Sequence, residues 1–180
     1  MRIAAAIIAV TIAAIPLAHA QAPAAAPAAA PAAVPEAMPF DIPYGTPIGI
    51  DAANKAIAAA VAEAKKHNWK MSVTVVDPAG NLVAHATMDG TQYGSIEISQ
   101  AKARTAAIYR RPSSVFQVAI NTNGSPATLS VLALTHSAAS GGGFPIVVDG
   151  KLIGALGASG GIVAQDEVTA KAGLEALGMK

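Results

Sequence analysis

With 180 residues, no cysteine, and 12 Lys plus Arg against 11 Asp plus Glu, the chain has no disulfide framework, no thiolate metal site and no cysteine nucleophile. Its near-neutral charge leaves no electrostatic footprint for nucleic acid or an anionic membrane. Export is not excluded, because a domain of roughly 135 residues buries enough apolar surface to fold without disulfides.

The N-terminus reads as an address. Arg2, the apolar run Ile3–Leu17 and the small-x-small site Ala18-His19-Ala20 have the layout of a cleavable signal peptide. The run is shorter than the roughly 20 apolar residues of a spanning helix. Residues 1–20 are therefore expected to be removed, leaving a periplasmic or secreted chain without a membrane span. With Arg2 gone, acidic and basic residues balance. Residues 21–44 are rich in Ala and Pro, and Pro23, Pro27, Pro31, Pro35 and Pro39 recur regularly. That composition predicts a disordered, semi-rigid tether, with one domain over 45–180.

Asp51 opens a helical pattern whose inner face is Ala53, Ile57, Ala60, Val61 and Ala64, with Lys65, Lys66 and His67 in the last turn, where cations suit the helix dipole. Met71–Val76 reads as a strand, and Asp77-Pro78-Ala79-Gly80-Asn81 as a turn. In Leu82–Met88 strict alternation puts Leu82, Ala84, Ala86 and Met88 on one face and Val83, His85 and Thr87 on the other. A second helix is predicted from Gly94 to Tyr109, and a short one over Ser114–Ile120. Asn123-Gly124-Ser125-Pro126 is a turn, and 113–137 is otherwise irregular. Phe144–Val148 and Lys151–Ser159 flank Asp149-Gly150, a strong hairpin signal. The last helix is expected near Gln165, with Ala170, Gly173, Leu174 and Leu177 inward and Glu167, Lys171 and Glu175 outward. Two hairpins with intervening helices predict an α/β fold of the α+β type: one domain, an antiparallel sheet, helices over it.

In order along the chain stand Val75-Val76-Asp77-Pro78-Ala79-Gly80-Asn81-Leu82-Val83, Met88-Asp89-Gly90, Ala101-Lys102-Ala103-Arg104-Thr105-Ala106, Arg111-Pro112-Ser113, Gly142-Gly143-Phe144-Pro145-Ile146, Asp149-Gly150-Lys151-Leu152-Ile153-Gly154-Ala155-Leu156-Gly157-Ala158-Ser159-Gly160 and Gln165-Asp166-Glu167. Over roughly residues 48–178 this resembles the GlcG/HbpS-like family of haem-binding or haem-degrading proteins, and the C-terminal domain of PduO-type corrinoid adenosyltransferases is similar. The resemblance implies a homo-oligomer and haem as cofactor. Many members carry Arg before Met-Asp-Gly; this chain has Thr87 there, one cation fewer for a ligand carboxylate.

On that footing His85, in a strand, and His136, in a loop, are the candidate haem axial ligands, neutral imidazole being the commonest metal ligand. His67 is accounted for by its helix end, and Met88 by the strand's apolar face. Gly141, Gly142 and Gly143 would let backbone N–H groups approach a ligand. On the helix starting at Gly94, a wheel puts Lys102 at the centre of a stripe of Ser95, Ile98, Ser99, Thr105, Ala106 and Tyr109, opposite Glu97, Gln100, Arg104 and Arg111. Lys102 is therefore expected to point inward and neutralise a ligand carboxylate or propionate, with snorkelling or an ion pair to Asp77 or Asp89 as the structural alternatives. Asp166 reads as a helix-start acid. No nucleophile elbow and no two histidines at zinc-ligand spacing are present. The expected function is an exported haem- or tetrapyrrole-binding protein serving haem storage, sensing or degradation. The alternative is an enzyme or sensor domain for a small organic acid or aldehyde.

Overall fold

The computed structural model describes residues 34–179. Residues 1–20, expected as a signal peptide, and the expected tether up to residue 33 lie outside the described residues. In order, the elements are α1 (Ile50–Lys66), β1 (Ser72–Val76), β2 (Leu82–Thr87), α2 (Gly94–Ile108), α3 (Ser114–Asn123), α4 (Pro126–Leu134), β3 (Gly143–Val148), β4 (Lys151–Ser159) and α5 (Val163–Glu175). The two hairpins join through β1 and β4 into one antiparallel sheet of order β2-β1-β4-β3. The α+β fold with a sheet of two hairpins is as the sequence predicts.

Each hairpin has its local cause. Asp149 and Gly150 both take positive φ, 49° and 71°, as a tight turn between twisted strands requires. In the first hairpin the Asp77 carboxylate accepts from the N–H groups of Ala79 and Asn81, both at 2.9 Å, and from Asn81 Nδ2 at 3.0 Å. Partial burial alone would raise the Asp77 carboxyl, but these hydrogen bonds hold it below its ordinary value.

The sheet is covered on both faces. On one, α1 and α5 pack through Ala53, Ala56, Ile57, Ala60, Ala64 and Ala170 against Val73, Val75, Leu156 and Ala158. On the other, α2 lies against β1, β3 and β4, with Ala103, Ala106 and Ala107 meeting Val76 and Ala155. Small residues set that close approach: a Cβ on Gly157 would overlap the Ser99 carbonyl. α2 packs chiefly on β4, β1 and β3, so it leaves that face of the edge strand β2 largely uncovered.

The structure departs from the sequence reading in several places. Strict alternation in β2 fails at a bulge: Val75 pairs with Ala84 and Val76 with Leu82, so Val83 is the extra residue. Val83 therefore joins Ala84, Ala86 and Met88 against the α1/α5 core, and Leu82 falls on the His85–Thr87 face. The segment 113–137 is a helical pair; α4 was not foreseen because its run PATLSVLAL has no polar face to give a periodic signal. On α2, Ile98 is exposed rather than inward. Finally, the domain reaches back before residue 45. Leu152 N donates to Pro43 O and Gly45 N to Leu152 O, both at 2.8 Å, continuing the sheet where β4 outruns β1. Arg110 also bonds Ile42 O at 3.1 Å. The compact unit begins at Ala37.

Candidate functional site

Lys102 projects inward from α2, as the wheel predicts, and is buried. Its Nζ donates to Asp166 Oδ2 at 2.6 Å and to Ala158 O at 3.3 Å. The partner is thus Asp166, from the first turn of α5, and neither Asp77 nor Asp89. Burial pushes the Asp166 carboxyl above its ordinary value; the Lys102 ammonium and the N–H groups of Gly161 and Gly160 pull it down. Gly161 N donates to Asp166 Oδ1 at 3.1 Å. Sequence reasoning missed this role for Asp166. The signal was available, because Asp166, Thr169, Ala170 and Gly173 recur at helical spacing and are the buried face of α5.

The glycine triplet packs over this pair. A Cβ on Gly142, whose φ is 108°, would lie 2.9 Å from Ala158 O and from Asp166 Cβ, and 3.3 Å from Lys102 Nζ. Gly141 N donates to Gln117 Oε1 and Gly143 N to Ser113 Oγ, each at 2.9 Å. Those two N–H groups are held inside the chain rather than offered to a ligand, and the glycines let β3 enter close to α2 and α5.

His85 stands on the largely uncovered face of β2, half-buried. Its Nδ1 is 2.8 Å from Thr74 Oγ1 and its Nε2 is 2.7 Å from Thr87 Oγ1. Thr74 Oγ1 also meets Ser99 Oγ at 2.8 Å, and Ser72 Oγ meets Thr87 Oγ1 at 3.0 Å. Burial lowers the His85 pKa from its ordinary value and so favours the neutral ring.

Two hollows lie at the ends of β2. One, of about 360 Å³, is bounded by Val76, Leu82, Glu97, Ala101, Arg104 and His136. His136 ends the α4 turn with a φ of 50°. Arg104 is not on a solvated face, as the wheel has it: Nε donates to Thr135 O at 2.8 Å and a terminal nitrogen to Gly80 O at 3.2 Å, framing this hollow. The other, of about 340 Å³, is bounded by Val61, Ala86, Thr87 and Met88 together with Lys65, Lys70 and Asp89. Both are within the size range of small-ligand sites, about 300–1,000 Å³. The structure thus brings His85 and His136 to one side of the molecule and sets Lys102 with the glycines in its interior.

Residues 48–175 match the family model described as haem degrading protein HbpS-like. The chain belongs to the HbpS-like family. Among its HbpS-like relatives, protein GlcG of Escherichia coli (strain K12) is 43% identical over 107 residues, covering 59% of this chain and 77% of GlcG. A crystal structure of a PduOC–haem complex superposes with a TM-score of 0.67 at 26% identity, over 73% of this chain and 95% of that one. A double mutant of Streptomyces reticuli HbpS gives a TM-score of 0.67 at 29% identity, over 82% of this chain and 99% of that one.

Among the described residues of this HbpS-like chain, no three of His, Cys, Asp and Glu converge into a cage for a bare metal ion. An isolated imidazole such as His85 instead suits a metal that arrives with most of its positions filled.

Proposed function

We propose that this HbpS-like protein binds haem, which an imidazole on the largely uncovered face of β2 would hold. The observation that carries the reading is His85: a half-buried ring beside an exposed threonine, its inner nitrogen 2.8 Å from Thr74 Oγ1, where burial favours the neutral form. Its surroundings suit a flat, mostly apolar dicarboxylate. Leu82 and Val76 give apolar wall on the His85 face, and Lys65 and Lys70 line the hollow that Thr87 borders at the other end of β2, as cations for propionates. Val61, Ala86 and Met88 in that hollow belong to the opposite, α1-covered face. Lys102 does not serve there, because Asp166 already neutralises it. The haem complex of the similar PduOC structure supports the reading. Bound haem would supply redox-active iron; this chain's residues would hold, orient and partly shield it. His136 lines the hollow at the Leu82 end and is the second candidate donor.

The test is titration of the purified protein with haemin. A shifted Soret band at micromolar protein, lost in His85→Ala and retained in His136→Ala, is the expected result. No shifted band in the wild type would end the haem reading.

We further propose that the protein is exported and handles haem outside the cytoplasm, on the strength of residues 1–20; the intact mass of the native protein should correspond to a chain starting at Gln21. Self-association fits as well. No charged residue stands between Arg111 and Asp149. The α3–α4 pair within that stretch exposes Val118, Leu129, Val131 and Leu134. Light scattering should give a multiple of the chain mass.

A further inference from the structure

The hydroxyls around His85 form a chain whose direction can be worked out from its proton count, and the result rests on no assumption about haem. Each hydroxyl has one proton to donate. Five side chains are linked in the order Ser99, Thr74, His85, Thr87, Ser72. Ser99 Oγ also lies 2.9 Å from the carbonyl oxygen of Ile96, which can only accept.

Two uniform directions are possible. If Ser99 donates to Ile96 O, then Thr74 donates to Ser99, His85 Nδ1–H to Thr74, Thr87 to His85 Nε2, and Ser72 to Thr87. Every proton has an acceptor. In the reverse direction Ser99 donates to Thr74, Thr74 to Nδ1, Nε2–H to Thr87 and Thr87 to Ser72. That leaves the Ile96 contact unused and the Ser72 proton without an acceptor in the chain, although Ser72 is fully buried. A buried hydroxyl proton left unpaired costs about 1–3 kcal/mol, which rules out the reverse direction. A mixed arrangement has Ser99 donating to Ile96 O, Thr74 to Nδ1, and both Nε2–H and Ser72 to Thr87. It pairs every buried proton but leaves the Thr74 and Ser99 oxygens 2.8 Å apart with no proton between them, so the first direction alone makes every contact.

We propose that Ser99 and Thr74 are positioning residues that hold His85 as its Nδ1–H tautomer, with the Nε2 lone pair facing outward under a removable cap, the Thr87 hydroxyl. Thr87 is exposed, so rotation about its χ1 uncovers Nε2 while Ser99 and Thr74 keep their bonds, at the cost of the Ser72 donation to Thr87. The class of ligand this takes is an electron-pair acceptor with one open position. Under the reading above, that is haem iron; this identification rests on that reading, the tautomer does not.

The experiment uses the full protein without haem, with histidine labelled in 15N, and long-range 1H–15N correlation at pH 7.5. The wild type should show His85 protonated on Nδ1 and bare on Nε2. Thr74→Val removes the acceptor and should move the proton to Nε2 or give a mixture, and Thr74→Ser should restore the wild-type pattern. In a haemin titration, Thr74→Val should bind about tenfold more weakly, the range seen when the outer partner of a metal-ligating histidine is removed, and Thr87→Ala at least as tightly as wild type. A wild-type proton on Nε2, or a tautomer unchanged in Thr74→Val with melting also unchanged, overturns the proposal. A correct tautomer with no Soret shift in any variant supports the positioning chain and removes haem alone.

Discussion

Lys102 Nζ and Asp166 Oδ2 lie 2.6 Å apart although 64 positions separate them in the chain, and both side chains are buried. The pair joins α2, on one face of the sheet, to the first turn of α5. Placed on the helix wheel alone, Lys102→Met is a folded protein with weaker ligand binding. Next to Asp166 it becomes a stability variant, because an acid would be left buried without its cation. We expect Lys102→Met to lose about 3–5 kcal/mol, the usual cost of removing one partner of a buried pair. The double variant Lys102→Met, Asp166→Leu should recover most of it. Urea denaturation measures both; a single variant as stable as wild type would show that the pair is open to water.

Gly142 is the neighbour that this pair cannot do without. Alanine there must adopt a φ of 108° and place its Cβ 2.9 Å from a backbone oxygen and from Asp166. The first effect is strain of about 1–3 kcal/mol, and the second displaces Asp166 from Lys102. Gly142→Ala should therefore be destabilised by at least as much as the strain alone. Gly150→Ala, with φ of 71° and open space around the Cβ, should show only the strain. Equal losses in the two would mean that crowding at Gly142 relaxes freely.

The His85 shift fixes the sign of a pH effect. The folded state holds the ring neutral more firmly than the unfolded chain does. The unfolded state therefore binds more protons as pH falls below about 6.5, the ordinary histidine value. The resulting stabilisation is complete above that pH and is lost as pH falls toward the lowered folded value. His85→Gln should flatten the stability profile in this window. An unchanged slope would assign the acid sensitivity to other groups.

What the sequence showed and what it hid have separate physical origins. The hairpins, the long helices and the inward Lys102 were legible because period, turn chemistry and helical spacing are local. Asp149-Gly150 takes the two positive φ angles that its residue types favour. The bulge at Val83 was not legible, since period-two alternation has no term for an inserted residue, and it moved Leu82 to the His85 face. The Thr74–His85 contact is a register fact: the two residues face each other only once β1 and β2 are paired. Helix α4 was hidden by an apolar composition with no polar side to mark a period. The pairing of Lys102 with Asp166 needed two wheels, one on each helix, and the match between their buried faces.

The composition reading also set the domain border too late, at residue 45, and this yields a prediction by truncation. Ala/Pro content falls away after Met38, and the larger side chains of Phe40, Ile42 and Tyr44 take over. Pro43 and Gly45 bond to both backbone groups of Leu152 on the stretch of β4 that β1 leaves unpaired. Arg110 reaches Ile42 O and lies 5.4 Å from the Tyr44 ring, and Arg111 lies 4.2 Å from the Phe40 ring. A protein starting at Ala37 keeps all of this and should melt with the chain that starts at Gln21. One starting at Thr46 keeps buried Ile48 but loses two sheet hydrogen bonds, each contributing about 0.5–1.5 kcal/mol. Its midpoint should fall by several degrees, given about 2–8 °C per kcal/mol for domains of this size range. A protein starting at Pro43 retains the Leu152 bonds without the Ile42 bond to Arg110, or the Asp41 carboxylate 3.6 Å from it, and should lie between the two. Calorimetry on the three distinguishes the cases: coincident melting would return residues 37–45 to the tether, and a graded series makes them an edge segment of the sheet.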